Sequence, residues 1–226
     1  MATHLLTGAG SGIGAVLAER LLERGDELVL LARSSERAHD LRSDLPDATV
    51  LVADLADPAA VEAVASQLPD RLDSAVHAAG TVELGPVSSL STEVWQAQLA
   101  VNVLAPAVLT RVALPALRAA RGTVVFVNSG AGLAAHPQWS AYAASKFGLR
   151  ALADSLRAEE QEHGVRVTTV YPGRTSTPMQ QKVHQQEGRE YDATAWIDPA
   201  TVAGAILHVL DLPEDATISD LTIRPR

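Results

Sequence analysis

Apolar and polar positions repeat along the chain in two alternating rhythms. Short apolar runs bounded by turn residues stand at positions 5–6, 27–32, 49–53, 73–77, 122–128, 165–170 and 217–223. Continuous apolarity over so few residues is the mark of strands buried on both faces of a parallel sheet. Between them lie stretches with helical spacing at 15–23, 35–45, 57–68, 92–117, 138–163 and 198–210. Asp57-Pro58 and Asp198-Pro199 each read as a capping carboxylate followed by proline at the first helical position, where a missing N–H costs little. Thr92 is the expected cap of the long fourth helix, and Pro106 and Pro115 are its expected bends. Residues 174–197 are polar, have weak periodicity and predict no element. The alternation predicts an α/β fold: a Rossmann-type, doubly wound, seven-stranded and mostly parallel sheet with helices on both faces, in one domain spanning residues 1–226.

In such a sheet a ligand sits at the carboxyl ends of the strands. The first strand ends in Thr7-Gly8-Ala9-Gly10-Ser11-Gly12-Ile13-Gly14 and a helix follows at once. Glycines there let the backbone turn tightly and approach a ligand, and the new helix points free N–H groups and its positive dipole end at a diphosphate. The spacing Gly10-x-Gly12-x-x-Ala15 can be forced into the common dinucleotide pattern, but Gly8-x-x-x-Gly12-x-Gly14 aligns better with the strand end. Gly8, Arg33, Asp54, Gly80, Ser129 and Pro172 all fall at predicted strand ends.

Composition narrows the chemistry. The 226 residues carry a formal net charge of −9, which argues against a nucleic-acid partner, since that requires clustered Lys and Arg. No cysteine is present and the seven histidines lack ligand spacing, so no metal site is expected. No basic-then-apolar leader stands at the N-terminus and no apolar run approaches a membrane span. The expected location is therefore cytoplasmic, without a membrane partner.

Tyr142 and Lys146 lie one turn apart on the predicted 138–163 helix, so they share a face. Ser129 stands at the mouth of the preceding strand, where this helix returns. A hydroxyl, a phenol and an ammonium can thus meet beside the nucleotide held by the first turn.

With these residues in place, the chain resembles the short-chain dehydrogenase/reductase family in its single-domain branch. The glycine turn, with Gly8, Gly10, Ser11, Gly12, Ile13 and Gly14, matches that family's cofactor turn. Asp54, with Leu55 beside it, matches the adenine contact. Ala78-Ala79-Gly80 matches a sheet-stabilising motif, and Pro172-Gly173 with Thr175 and Thr177 matches the segment that closes on the nicotinamide amide. Asn102, Ser129, Tyr142 and Lys146 match the catalytic tetrad. The resemblance implies hydride transfer between nicotinamide and a carbonyl or alcohol carbon. Tyr142 would be general acid or base, Lys146 would hold the nicotinamide ribose, Ser129 would orient the substrate oxygen, and Asn102 would anchor a water linking Lys146 to solvent. Family members pair through the helices that begin near Thr92 and carry Tyr142; small residues at 141, 144, 148, 151 and 158 suit such pairing. A homodimer or homotetramer is expected.

The second strand ends in Ala32 where NAD-binding relatives have an acidic residue, and Arg33 and Ser34 follow. Loss of the carboxylate and gain of a guanidinium favour a 2′-phosphate, so NADP(H) is the expected cofactor over NAD(H). Val82, Leu84, His136, Trp139 and Met179 are expected around an apolar carbonyl substrate, and an acidic carrier-protein substrate is disfavoured by the chain's own acidity. A serine hydrolase is rejected because Val127 stands where a nucleophile elbow needs glycine. A two-part epimerase-like enzyme is disfavoured by the few residues after Gly173. The remaining rival is a non-catalytic NADP(H)-sensing protein, which has no need of Ser129, Tyr142 and Lys146 together.

Overall fold

The computed structural model describes residues 1–226. Seven strands form its sheet: β1 (Thr3–Thr7), β2 (Glu27–Ala32), β3 (Thr49–Val52), β4 (Ser74–His77), β5 (Thr123–Val127), β6 (Arg166–Pro172) and β7 (Asp220–Ile223). Their order is β3-β2-β1-β4-β5-β6-β7, and every neighbouring pair is parallel. The helices are α1 (Gly12–Glu23), α2 (Ser35–Asp44), α3 (Pro58–Ala63), α4 (Thr92–Leu99), α5 (Ala105–Ala120), α6 (Ser140–Glu159), α7 (Pro178–Glu187) and α8 (Pro199–Leu210).

The apolar runs are continuous because successive side chains feed opposite cores. Leu5, Val29, Leu31, Val124 and Phe126 pack with Leu109, Ala113, Leu149 and Ala153 of α5 and α6. Leu6, Leu28, Leu30, Val76 and Val125 pack with Leu17, Leu21, Val202 and Ile206 of α1 and α8. Each core holds 21 buried residues, so both faces of the sheet are covered to a similar extent and no face is left for water. Only the strand ends remain for a ligand. His77, also buried, is neutral: burial pushes its pKa down to about 3, and its Nε2 lies 2.9 Å from Thr110 Oγ1.

The fourth predicted helix departs from expectation in three ways. Its cap is Ser91 rather than Thr92. Its irregularity is a π-helical turn at Ala100–Leu104, while Pro115 sits inside a continuing α5. Pro106 explains the turn, because it offers no N–H to the carbonyl of Asn102 and its ring crowds that carbonyl, so the coil widens just ahead of it. Finally, Thr92–Ala120 is long and apolar enough to span a membrane by length and composition, with mean hydropathy 1.6 over 18 residues, contrary to the sequence expectation. In this fold its α5 half is a core helix, with Leu109, Ala113 and Leu117 almost fully buried.

Three other boundaries shift for local reasons. The helix expected from residue 138 starts at Ser140, because Gln138 takes a left-handed φ of 68°. The helix expected to residue 68 tightens after Ala63 into a 3₁₀ turn at Val64–Gln67. The segment 174–197, expected to lack structure, contains α7. Its signal was present: Thr177 caps the helix by accepting from Gln180 N, Pro178 opens it, and Gly188 closes it at a φ of 65°.

Candidate functional site

The chain leaves β1 toward β2 on one side, while β4 pairs on the other, so a crevice opens where the two ends diverge. Here Gly8 has a φ of 80°, and a Cβ on it would lie 2.7 Å from Ala79 N. A Cβ on Gly14 would lie 2.2 Å from Gly8 O. The turn is therefore pressed between the start of α1 and the end of β4, and Ala79 N donates to Thr7 Oγ1 at 3.1 Å to close the seam.

A cleft of about 600 Å3 opens from this seam. Of the residues expected to bind cofactor, Gly8, Ser11, Gly12, Ile13, Ala79 and Gly80 line its β1–β4 side. Pro172, Gly173, Thr175 and Thr177 line the side formed after β6. Gly10 and Gly14 support the turn from outside the cleft. Arg33, Ser34, Asp54 and Leu55 lie beyond it, at the ends of β2 and β3. Asp54 Oδ1 accepts from Ala56 N at 2.9 Å, and Leu55 packs partly against the core. Arg33 is exposed and makes no hydrogen bond or ion pair. Ser34 caps α2, accepting from Arg37 N at 3.2 Å.

Arg37 was missed in the sequence. Its guanidinium donates to Gly10 O at 3.4 Å and pairs with Asp40 at 2.7 Å, so it lies across the glycine turn. Its signal is its place on the first turn of α2, one helical turn after Arg33.

The expected tetrad divides in two. Ser129, Tyr142 and Lys146 line the cleft, whereas Asn102 lies behind it, 1% exposed, in the π-helical turn. Asn102 Oδ1 accepts from Thr81 N at 2.8 Å, and Nδ2 donates to Thr81 O at 2.9 Å and to Ser145 Oγ at 2.9 Å. Both amide hydrogens are spent.

Ser129 reaches the cleft from the end of β5, and its Oγ accepts from Ala131 N at 3.2 Å. Lys146 Nζ donates to Val127 O at 3.1 Å and lies 5.8 Å from the Tyr142 ring centroid. Burial pushes the Tyr142 phenol up to about 12, against a hydrogen bond with Ser129 that pulls it down. Burial likewise pushes the Lys146 ammonium down to about 8. Desolvation disfavours the charged form of each: it keeps the Tyr142 phenol protonated and leaves the Lys146 ammonium easier to deprotonate, the pattern of groups placed for a charge or proton that arrives with a ligand.

Beyond Tyr142 the cleft turns apolar. Val82, Ala131, Tyr142 and Val183 form one cluster, with Leu84, Trp139 and Met179 packed against it. Val82, His136, Trp139 and Met179 line the cleft as expected, whereas Leu84 only backs the cluster. The outer end carries a clamp that was not foreseen. The Arg174 guanidinium lies 5.9 Å from the Trp139 ring centroid and 5.4 Å from that of Trp196, and it holds both oxygens of Glu187 at 2.9 and 2.6 Å. Hydrogen bonds from Arg174 keep the Glu187 carboxyl below the usual range.

Comparison with known proteins identifies relatives of the whole chain. Residues 2–188 match the short chain dehydrogenase family. An uncharacterized oxidoreductase of Staphylococcus epidermidis is 26% identical over 226 residues, covering 98% of this chain and 96% of the relative. A metagenomic short-chain oxidoreductase solved in complex with NADP is 30% identical with a TM-score of 0.82, covering 100% of this chain and 97% of that one. A short chain dehydrogenase from Burkholderia cenocepacia, also solved with NADP, is 26% identical with a TM-score of 0.84, covering 98% and 87%.

The depressed Lys146 ammonium carries a stability consequence. Its folded value of about 8 lies below the ordinary 10.5, so the full cost of burying its charge is present below pH 8 and fades as pH rises toward 10.5. That cost is about 3 kcal/mol, from about 1.4 kcal/mol per unit. Lys146→Met removes it but also loses the bond to Val127 O, worth about 1 kcal/mol. The expected outcome is a variant about 2 kcal/mol more stable than the parent at pH 7, with the gain shrinking by pH 9.5. Thermal unfolding of the cofactor-free proteins at the two pH values measures it.

Proposed function

Because the chain belongs to the short-chain dehydrogenase family, we propose that it is an NADP(H)-dependent oxidoreductase acting on a small apolar carbonyl or alcohol compound in the cytoplasm. The observation that carries this reading is the convergence of Ser129, Tyr142 and Lys146 on a cleft that begins at the glycine turn. The cleft fits a dinucleotide: Gly8, Ser11, Gly12 and Ile13 line it with little side-chain bulk, and the first N–H groups of α1 face it. The seam residues and Thr175 and Thr177 would hold the nicotinamide half, and Lys146 the ribose. When bound, the nicotinamide supplies or accepts the hydride.

The chain's own residues handle the proton. Tyr142, held protonated by burial, is ready to donate to a carbonyl oxygen, so reduction needs no prior shift. Ser129, hydrogen-bonded with Tyr142, orients that oxygen. In the opposite direction the phenol has to ionise, and a Lys146 ammonium nearby favours that form. Tyr142→Phe should keep the fold and cofactor affinity while lowering kcat at least a hundredfold, since the hydroxyl is required only for proton transfer. Carbonyl-dependent NADPH oxidation and a cofactor titration of both proteins test this, and a variant that keeps more than about a tenth of kcat moves the donor elsewhere. A protein that binds NADPH and oxidises it with no ketone, aldehyde or quinone would be the sensor instead.

The 2′-phosphate preference rests on the end of β2. Arg33 is free of protein partners, and Arg37 lies one turn on across Gly10, so two guanidinium groups flank the place where Ala32 replaces a carboxylate. An exposed Arg–phosphate contact worth about 2 kcal/mol favours NADPH about thirtyfold. Arg33→Ala should erase most of that preference through the NADPH KM, and Ala32→Asp should reverse it. Equal kcat/KM for NADPH and NADH in the parent protein would overturn the assignment.

The protein is further proposed to be a homodimer, or a tetramer built from it. Leu99, Leu104 and Phe147 are large apolar side chains exposed at 41%, 45% and 42%, and Ala144, Ala151 and Ala158 lie open on the same face of α6 as Phe147. Ala141, expected among these small contact residues, is instead buried inside the fold. Sedimentation at micromolar concentration should give a dimer or larger for the parent and a monomer for Phe147→Asp. A monomeric parent sinks the idea.

A further inference from the structure

Gln98 is 1% exposed and has no part in the tetrad. A buried carboxamide is costly unless its hydrogen bonds are made, and here they are made in an unusual way. Gln98 Oε1 accepts from Glu83 N at 3.2 Å, and Nε2 donates to Glu83 O at 3.1 Å. Asn102, one turn further along, does the same to Thr81. The two side chains thus stand in for a neighbouring strand, offering two rungs to alternate residues of the extended segment 81–84. Val82, between the rungs, joins the apolar cluster around Tyr142.

The same segment carries α7. Leu84 N donates to Gln186 Oε1 at 3.0 Å. The Glu83 carboxylate takes Lys182 Nζ at 2.8 Å and the Gln186 amide. Lys182 and Gln186 lie one turn apart on α7, whose Met179 and Val183 form the wall facing Val82. Both walls of the apolar chamber therefore hang from the segment that Gln98 fixes.

We propose that Gln98 is a positioning residue for the substrate. Through the Glu83 rung it sets the spacing between Val82 and α7, and so determines which apolar flank of a carbonyl compound fits before Tyr142, while touching neither substrate nor cofactor. The proposal rests on the oxidoreductase reading for its substrate but not for its linkage. The linkage is read by amide hydrogen exchange on the full chain without ligand, using Gln98→Leu, which keeps the bulk and removes both bonds. Exchange at Glu83 and across α7 should quicken about tenfold or more, the measure of one ordinary hydrogen bond, with β4 and β5 unchanged. Glu83→Ala, at a residue whose side chain is 41% exposed, removes the carboxylate's ties to Lys182 and Gln186 of α7 and leaves the Gln98 rung and the Leu84 bond to Gln186 in place. It should quicken α7 alone, and it keeps the test available if Gln98→Leu does not fold.

With whichever of cyclohexanone, benzaldehyde and acetophenone the parent reduces, both variants should raise KM about tenfold while kcat and the NADPH Kd stay within about twofold. Unchanged exchange in α7 overturns the linkage. An equal fall in kcat and NADPH affinity, with KM unmoved, overturns the positioning role. A parent that reduces none of the three compounds counts against the oxidoreductase reading, and the exchange result still decides the linkage.

Discussion

The close approach of the first turn to the end of β4 is the constraint from which the rest of the site follows. Backbone meets backbone there: Gly8 lies against Ala78 and Ala79, and Gly14 against Gly8, at separations that leave no room for a side chain. This contact seats α1 on the sheet and fixes the crevice at the point where the strand order reverses. It also makes the crevice narrow enough for main-chain N–H groups to reach a bound diphosphate. Side chains could bind a phosphate elsewhere, but they would hold it with less precision, since each would first lose its own conformational freedom.

Around that seam the protein accepts local cost. Lys146 and Tyr142 are almost completely buried and carry shifts in opposite directions for the same reason, since burial disfavours each charged form. Few contacts compensate: Lys146 has one carbonyl and Tyr142 one hydroxyl partner within the chain. Two cores of similar extent on either side of the sheet provide the stability against which this cost is set. Such sites are where a sequence departs from what folding alone would select.

That division explains how much was legible. The strands and most helices could be read because their signals are local: apolar runs fed by both cores, and Asp-Pro caps at α3 and α8. Ser129, Tyr142 and Lys146 could be placed together because strand ends and helical spacing limit where side chains go. What escaped depends on contacts between distant residues. The π-helical turn arises from one proline acting on Asn102, and the position of Gln138 in the left-handed region leaves no mark on periodicity. Arg37 matters through its contact with Gly10, and Arg174 through two tryptophans and Glu187. The carboxamides of Gln98 and Asn102 look like ordinary polar helix residues until the 81–84 segment lies beside them. For α7 the caps were present at Thr177 and Gly188, but an amide-rich helix with few apolar positions offers little periodicity to detect.

α7 ties the two halves of the cleft into one mechanical unit. Its cap, Thr177, stands against the glycine turn, where a Cβ on Gly12 would come within 2.9 Å of the Thr177 methyl group. Its middle presents Met179 and Val183 to the chamber before Tyr142. Its last turn is held by Gln186 on Leu84 and by Glu187 on Arg174. A ligand lying along the glycine turn therefore meets the start of the same helix whose later turns shape the apolar chamber. A helix is stiff over so short a length, because each of its carbonyls is tied to an N–H one turn away. Its cap beside the glycine turn and its Met179 and Val183 beside Tyr142 therefore belong to one continuous wall of the cleft.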